Sequence, residues 1–134
     1  MIVTDTNLLA YLLLGGAGTS AARAVFLRDP DWAAPLLWRS ELRSILAGYL
    51  RRGELQIGDA VAVQRMAEEL LEGREHLVRS ERVLRAVASS VCSAYGCEFV
   101  VLAEHLRVPL VTSDRRILRD FPAVALSPAR YLEG

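Results

Sequence analysis

The chain contains no lysine, so all 16 of its basic residues are arginine. They balance 16 acidic residues, and the resulting net charge of zero excludes a strong, generic binder of nucleic acid. Arginine does make bidentate contacts with phosphate, but the abundance of Ala, Leu, Gly and Val favours codon bias in a GC-rich genome as the reason for the missing lysine. Any contact with nucleic acid is therefore expected to be local.

Long apolar runs are also missing. The longest, Leu8–Leu14, is far shorter than the roughly 20 residues that span a bilayer. The N-terminus shows no basic segment ahead of an apolar stretch and a small-residue cleavage site. We therefore expect no signal peptide, no membrane partner and a cytoplasmic location.

Cysteine and histidine are scarce, and their spacing fits no zinc site. Cys92 and Cys97 are the only cysteines, and His76 and His105 lie far apart in the sequence. In a cytoplasmic chain two such cysteines are expected to be free, buried thiols.

What the chain does have is a globular composition. Of its 134 residues 52% are hydrophobic and 24% are charged, which is enough apolar material for a real core. No linker, repeat or low-complexity segment interrupts it. The sequence therefore predicts one domain covering residues 1–134.

Short apolar segments alternate with helical patterns along the chain. Predicted strands are Ile2–Thr4, Trp32–Ala34, Val108–Thr112 and Val124–Leu126, with His76–Arg79 as a strand or a loop. Predicted helices are Asp5–Leu14, Thr19–Arg28, Leu36–Arg52 with Pro35 in its first turn, Gly58–Glu72, Ser80–Ser93, Tyr95–Arg107 and Asp114–Arg119, and a turn begins at Ser127. This order predicts an α/β sandwich with a short parallel sheet flanked by helices.

Two carboxylates directly follow predicted strands. Asp5 comes after the first strand and Asp114 comes after the segment VPLVT. The carboxyl ends of parallel strands meet at one edge of a sheet, where the functional crevice of such folds lies. Each aspartate could instead cap the helix that follows it, but the two cases together favour a shared crevice.

Glu41 is a third carboxylate in an unusual position. It lies on the apolar stripe of its predicted helix, three residues after Trp38 and four before Ile45. A glutamate on a buried stripe needs a partner. That partner is either a site shared with the two aspartates or an arginine such as Arg39 or Arg43.

Three segments match the layout of a known family over nearly the whole chain: MIVTDTNLLAYLL, WRSELRSIL and SAYGCEFVVLAEHLRVPLVTSDRRIL. Together they resemble the PIN-domain ribonucleases, and in particular the VapC-type toxins of toxin–antitoxin pairs. The resemblance implies a PIN-like α/β/α sandwich and a cluster of acids that binds Mg²⁺ or Mn²⁺. It also implies metal-dependent cleavage of RNA phosphodiester bonds, a cognate antitoxin as partner and a homodimer.

The resemblance assigns roles residue by residue. Asp5, Glu41 and Asp114 match three of the family's metal-binding and catalytic acids. Further polar side chains match positions that orient acids or water: Asn7, Thr112 and Ser113.

Gly96 departs from the family pattern. It lies in SAYGCEF, where the family carries a fourth acid. Three carboxylates still supply enough oxygens for one ion, but they hold a second ion less securely. Glu98 lies two residues further on, about 200° around the helix, and is either a water-mediated contributor or a solvated residue. Gly96 therefore keeps open the alternative of a degenerate PIN domain that binds antitoxin or RNA without cleaving it.

The arginines beside the acids have two interpretations. They contact RNA phosphates or the acidic groups of a partner, or they form salt bridges with neighbouring acids and water, which we favour for most of them. The residues are Arg39, Arg43, Arg115 and Arg116. No aromatic-rich stacking surface is evident in the sequence.

Two further expectations concern the class of protein and its assembly. A receiver domain would need paired acids after the first strand and a late lysine, and the chain has neither. The apolar helix faces between Asp5 and Glu72 exceed what a small sheet can cover, which favours a homodimer.

Overall fold

A five-stranded parallel sheet forms the centre of the protein, whose computed structural model describes residues 1–134. The strands are β1 (Ile2–Thr4), β2 (Trp32–Pro35), β3 (Glu75–His76), β4 (Leu110–Val111) and β5 (Ala125–Leu126), in the spatial order β3-β2-β1-β4-β5. In the central strand Val3 pairs with Ala33 on one side and with Leu110 on the other. The strand order places β1 in the middle, so whatever follows β1 has neighbours on both sides.

Eight helices cover the sheet. They are α1 (Thr6–Leu14), α2 (Thr19–Arg28), α3 (Trp38–Arg51), α4 (Ile57–Leu70), α5 (Ser80–Ala88), α6 (Ala94–Leu106), α7 (Arg115–Asp120) and α8 (Pro128–Glu133). No single helix is long and apolar enough to cross a membrane, although α1 and α2 together, bent by 103° between them, have the length and composition to do so.

The core is divided between the two faces of the sheet. Ile2 packs in one cluster with residues of α1, α2, α3 and α4, whereas its neighbour Val3 packs in a second cluster with residues of α5, α6 and α7. Successive residues of a strand point to opposite faces, so this division shows helices on both sides. The predicted α/β/α sandwich with a short parallel sheet is confirmed.

Pro35 does not begin a helix as predicted but ends β2, and α3 begins only at Trp38. The reason is the bond from the Leu36 N–H to the His76 carbonyl, 3.0 Å long, which keeps the chain paired with β3 beyond Pro35. The same pairing places β3 at Glu75–His76, slightly earlier than the predicted segment His76–Arg79. An X-Pro pattern alone does not distinguish a strand end from a first helical turn.

Three other boundaries differ from the prediction. Helix α5 ends at Ala88 instead of Ser93, because the Ser90 hydroxyl donates to the Ala86 carbonyl at 2.8 Å and the chain turns there. Strand β4 is shorter than VPLVT because the Val108 N–H bonds back to Ala103 in α6. The C-terminal turn is a helix, α8, whose N-cap Ser127 accepts from the Arg130 N–H.

The carboxyl edge of the sheet gathers the predicted acids. β1 ends one residue before Asp5, and β4 ends three residues before Asp114. These strands are adjacent and parallel, so both segments leave the sheet at the same edge. Strand β2 is the other neighbour of β1 and is also parallel to it. Helix α3 follows β2, and its first turn brings Glu41 to the same edge.

Candidate functional site

Asp5 links the end of β1 to the end of β4. Its Oδ1 accepts from the Leu8 N–H at 2.8 Å and caps α1, as the sequence allowed. Its Oδ2 accepts from the Thr112 hydroxyl at 2.6 Å, across a sequence separation of 107 residues. Capping therefore uses only one of the two carboxylate oxygens, and the other is held in a fixed direction by Thr112.

Asp114 caps α7. Its Oδ1 accepts from the N–H groups of Arg116 and Ile117, at 2.9 and 3.1 Å. The Asp114 N–H in turn donates to the Thr112 hydroxyl oxygen at 3.0 Å. Thr112 thus connects both aspartates, and Oδ2 of Asp114 accepts from no protein donor.

Glu41 is held by Thr6 and not by an arginine. Its Oε1 accepts from the Thr6 hydroxyl at 2.7 Å. Arg39, one of the arginines considered as its partner, instead makes a bidentate pair with Glu75 at 2.6 and 2.7 Å. The salt-bridge alternative for Glu41 is wrong, because α3 turns Arg39 towards β3 and Glu41 towards α1.

The three acids line one cleft of about 350 Å³. Thirteen residues form its walls, and not one of them is basic. The cleft also includes three of the supporting residues predicted from the sequence: Asn7, Gly96 and Thr112. The acids from β1–α1, α3 and β4–α7 therefore share one concave surface without a positive side chain in its lining.

Charge repulsion and burial act on the acids together. Burial raises the pKa of Asp5, against the hydrogen bonds from Thr112, Leu8 and the Ser113 backbone, and the charge of Asp114 raises it further. Burial also raises the pKa of Glu41, against the bond from Thr6, and the charges of Asp5 and Glu98 raise it further. A cation in the cleft would relieve these unfavourable terms.

Two predicted residues lie outside the cleft. The Ser113 side chain is exposed, and only its backbone N–H reaches Asp5. Glu98 borders a separate pocket with Leu36, His76 and Leu77. Burial raises its pKa, and its charge reaches Glu41, so Glu98 influences the cleft electrostatically without lining it.

Gly96 borders the cleft at the third residue of α6. Its N–H donates at 3.0 Å to the hydroxyl of Ser93, the N-cap of that helix. A Cβ added at Gly96 would lie 3.2 Å from Ile117 Cδ1 and 3.4 Å from Ser93 Oγ. The first contact is tight, but it involves the flexible end of a side chain, so a small shift of Ile117 would admit a larger residue.

The donor set suits a hard cation, with a limit on how it could be held. No group of three or more His, Cys, Asp or Glu side chains is close enough together to hold an ion directly. Mg²⁺ keeps several waters and is usually bound through one or two carboxylates. The carboxylate oxygens of the cleft are of the kind that such an ion takes, and waters would have to complete its coordination.

The arginines near the acids are not alike. Arg39 forms ion pairs with Glu75 and with Glu68, the latter at 3.3 Å. Arg43, Arg115 and Arg116 are exposed and form no ion pair within the chain. The predicted salt bridging therefore holds for Arg39, while the other three are free to contact a ligand.

Sequence reasoning missed Tyr95 as a cleft residue. It lies in the first turn of α6 and lines the cleft beside Gly96 with 64% of its surface exposed. Its position next to Gly96 in SAYGCEF was the only signal, and it was a weak one because adjacent residues of a helix point about 100° apart.

The raised pKa values predict a pH dependence of stability. The pKa of Asp5 and of Glu41 is higher in the folded protein than in the unfolded chain, so the folded protein keeps these protons to higher pH. The free energy of unfolding therefore falls as the pH rises above the ordinary pKa values, 3.8 for Asp5 and 4.5 for Glu41, and through the raised pKa values of the folded protein. We expect Asp5→Asn to raise the melting temperature of the metal-free protein at neutral pH. The gain should vanish as pH falls towards 3.8, the ordinary value of the replaced group.

Thermal denaturation in a chelator across this pH range measures the effect. Asp114→Asn is expected to act in the same direction, since the charge of Asp114 is among the causes that raise the pKa of Asp5. Asp59→Asn is the matched control, because Asp59 is an exposed aspartate in the first turn of α4, outside the cleft. A melting temperature of Asp5→Asn below that of the wild type at every pH would mean that capping and the Thr112 bond outweigh the repulsion.

Comparisons with known proteins identify the fold. No protein-family model and no curated protein matches the chain. A solved toxin–antitoxin complex from Klebsiella pneumoniae aligns over 96% of this chain and 98% of the other, with a TM-score of 0.71 and 17% identity. The crystal structure of FitAcB from Neisseria gonorrhoeae aligns over 96% and 99%, with a TM-score of 0.76 and 15% identity. The chain therefore has the fold of these two structures.

Proposed function

We propose that the protein is a metal-dependent endoribonuclease that hydrolyses RNA phosphodiester bonds. The observation that carries this proposal is the acidic cleft: Asp5, Glu41 and Asp114 reach it from three separate elements, and its lining contains no basic residue. Asp5 and Glu41 are partly buried. Such carboxylates are costly without a cationic partner, and a divalent cation is the ligand that offsets that cost. The resemblance to PIN-domain ribonucleases supports the same conclusion.

The chain's own residues would hold and orient the ion and the substrate. Thr112 fixes Oδ2 of Asp5, and the N-terminus of α7 fixes Oδ1 of Asp114, whose Oδ2 accepts no hydrogen bond from the protein and is available to a ligand. Thr6 fixes one oxygen of Glu41. When bound, Mg²⁺ or Mn²⁺ would lower the pKa of an attacking water and offset charge that develops on the phosphodiester oxygens.

We propose that the ribonuclease is the toxin of a toxin–antitoxin pair and acts in the cytoplasm. The structure from Klebsiella pneumoniae with the same fold is a toxin–antitoxin complex, which supports a cognate antitoxin as the partner. Co-expression with the protein encoded by the adjacent upstream gene, followed by co-purification, is the direct test.

The proposed assembly is a homodimer. Apolar side chains are exposed on the helices of one layer, which are expected to be covered in solution: Tyr11, Ile57, Val61 and Met66. A monomer mass in sedimentation equilibrium, unchanged over a wide range of concentration, would contradict the dimer.

Cleavage of RNA with and without metal tests the enzymatic proposal. We expect the purified protein to cut RNA endonucleolytically in Mn²⁺ or Mg²⁺ and to stop when EDTA is added. Glu41→Gln should lower the rate by about 100-fold or more, as expected for loss of a carboxylate that shapes an ion site. Glu81→Gln is the control, since Glu81 is an exposed glutamate at the start of α5. Metal-independent cleavage, or equal rates for Glu41→Gln and wild type, would refute the assignment.

A second candidate is a binding module that has lost catalysis. Gly96 is the observation that favours it, because no carboxylate enters the cleft from α6. Such a module would still bind antitoxin or RNA but would cleave none. Binding without cleavage in the assay above would select this candidate.

A further inference from the structure

Tyr95 is an aromatic residue that the fold itself does not use. It is 64% exposed to solvent. Eleven large apolar side chains are exposed on the protein, but Tyr95 is the only one of them that lines the acidic cleft. Exposed apolar residues are common, so the location of this one in the cleft is what sets it apart.

The neighbours of Tyr95 on α6 are Phe99 and Gly96, which both line the cleft. Phe99, four residues later, lies on the same helix face, lines the same cleft and is only 3% exposed. Gly96 carries no side chain that would screen Tyr95 from the acids. The lining of the cleft therefore includes aromatic side chains from α6, of which only Tyr95 is exposed, in addition to the three acids.

The charge of the cleft favours contacts with a polyanionic ligand that do not depend on charge. Three acids and no basic residue line the cleft, so its walls repel phosphate unless a cation is present. Arg115 and Arg116 begin α7 beside Asp114 and are exposed, so they provide attraction only at the rim. A bound cation would attract the phosphate, and a contact that does not depend on charge would add affinity for the rest of the nucleotide; stacking on a nucleobase is such a contact.

We propose, on the basis of the ribonuclease function above, that Tyr95 stacks on a nucleobase next to the scissile phosphate and thereby positions the RNA. A flat ring suits this role because every base has a π-face, whereas an aliphatic side chain would give only area. Tyr95 is then a positioning residue with a preference for bases over bare backbone. Its contribution should appear in binding and in the dependence of cleavage on RNA concentration.

Binding of short labelled RNA oligomers by fluorescence anisotropy tests the proposal. The probes are oligomers of A, C, G or U and an abasic ribose-phosphate oligomer of the same length, in Ca²⁺, with their integrity checked on a gel. We expect Tyr95→Ala to weaken binding of the best base-containing oligomer by about 5- to 150-fold, the effect of one stacked base. Tyr95→Phe and Tyr95→Trp should keep the affinity, and Tyr95→Leu should not.

Two controls separate stacking from a loss of structure. Leu84 is also 64% exposed, but it lies on α5 outside the cleft. The Leu84→Ala protein should therefore bind the RNA oligomers as tightly as the wild type. The abasic oligomer should bind equally to wild type and Tyr95→Ala. In cleavage assays Tyr95→Ala should raise KM with a smaller change in kcat.

The outcomes distinguish this proposal from the proposed function. If wild type cleaves RNA and Tyr95→Ala binds every base-containing oligomer as tightly, the stacking role is wrong and the nuclease remains. If Tyr95→Ala and Tyr95→Leu lose affinity equally for base-containing and abasic oligomers, Tyr95 acts on the backbone and the stacking role is again wrong. If the wild type neither binds nor cleaves any RNA, both proposals fail.

Discussion

Replacing Asp5 by asparagine is expected to reduce metal-dependent cleavage by about 100-fold or more and to weaken Mn²⁺ binding. Asp5 is the acid most firmly built into the cleft: one oxygen bonds to Leu8 and the other to Thr112. Asparagine keeps the shape, and its one carbonyl oxygen still accepts from Leu8, but the negative charge is lost and an NH₂ group replaces the oxygen that accepts from Thr112. The cap of α1 stays in place, and Thr112→Val measures the loss of the Thr112 bond separately.

Two further variants serve as comparisons: one is expected to lose less activity than Asp5→Asn, and the other is expected to lose none. Thr112→Val removes the hydroxyl that donates to Asp5 at 2.6 Å, and we expect a smaller loss, about 10- to 100-fold, as for groups that orient metal ligands. Asp59→Asn, on the exposed side of α4, should leave binding and cleavage unchanged.

Titration calorimetry with Mn²⁺ on the four proteins measures the affinity, and the cleavage assay measures the rate. Equal Mn²⁺ binding by wild type and Asp5→Asn would remove Asp5 from the metal site.

Replacing Gly96 by aspartate is expected to raise metal affinity and the cleavage rate by about 10- to 100-fold. Gly96 borders the cleft at the third residue of α6, so a carboxylate there would join the three acids from a fourth side. The backbone already fits, because only the Cδ1 of Ile117 approaches the new Cβ closely, at 3.2 Å. A carboxylate in the first turn of a helix is also favoured by the helix dipole.

Matched substitutions separate the charge of the new side chain from its other effects. Gly96→Ala introduces the same Cβ contact, and Gly96→Asn adds nearly the same shape with a similar helix propensity but no charge. We expect Gly96→Asp to melt at a lower temperature than Gly96→Asn without metal, because a fourth negative charge enters the cleft. With Mn²⁺ the order should reverse, since binding to the folded state adds stability.

The rates of wild type and Gly96→Asp on the same RNA decide whether the cleft is complete. A wild-type rate that Gly96→Asp does not exceed would mean that water or the charge of Glu98 already performs the task of the missing acid. Cleavage by Gly96→Asp alone would mean that the natural chain is the non-catalytic module and that its cleft lacks one ligand.

The sequence alone determined the architecture and the position of two acids. Apolar strands separated by helical patterns predicted the parallel α/β/α sandwich, because a strand buried on both faces is apolar throughout and needs helices on each side. Asp5 and Asp114 follow strands directly, and the parallel arrangement brings such positions to one edge. Both are local sequence patterns, and in a parallel sheet each is compatible with one arrangement only. The sequence therefore suffices to predict them.

Tertiary structure decided the contacts that depend on long-range pairing. Pro35 ends a strand because the adjacent residue bonds to His76, some forty residues later along the chain. Arg39 pairs with Glu75, and Glu41 accepts a hydrogen bond from Thr6. The sequence does not indicate which of these residues would pair. Spacing along a helix gives the face on which a residue lies, but not what the neighbouring elements present to that face.

The same limit applies to the residues around the cleft. Helical spacing placed Glu98 away from Gly96, but only the packing of α6 shows that Glu98 borders another pocket while its charge still acts on Glu41. Tyr95 and Phe99 share a helix face, yet Phe99 is buried and Tyr95 is exposed at the cleft. Exposure is set by where the surrounding helices end, which is a property of the assembled layers and not of any one segment.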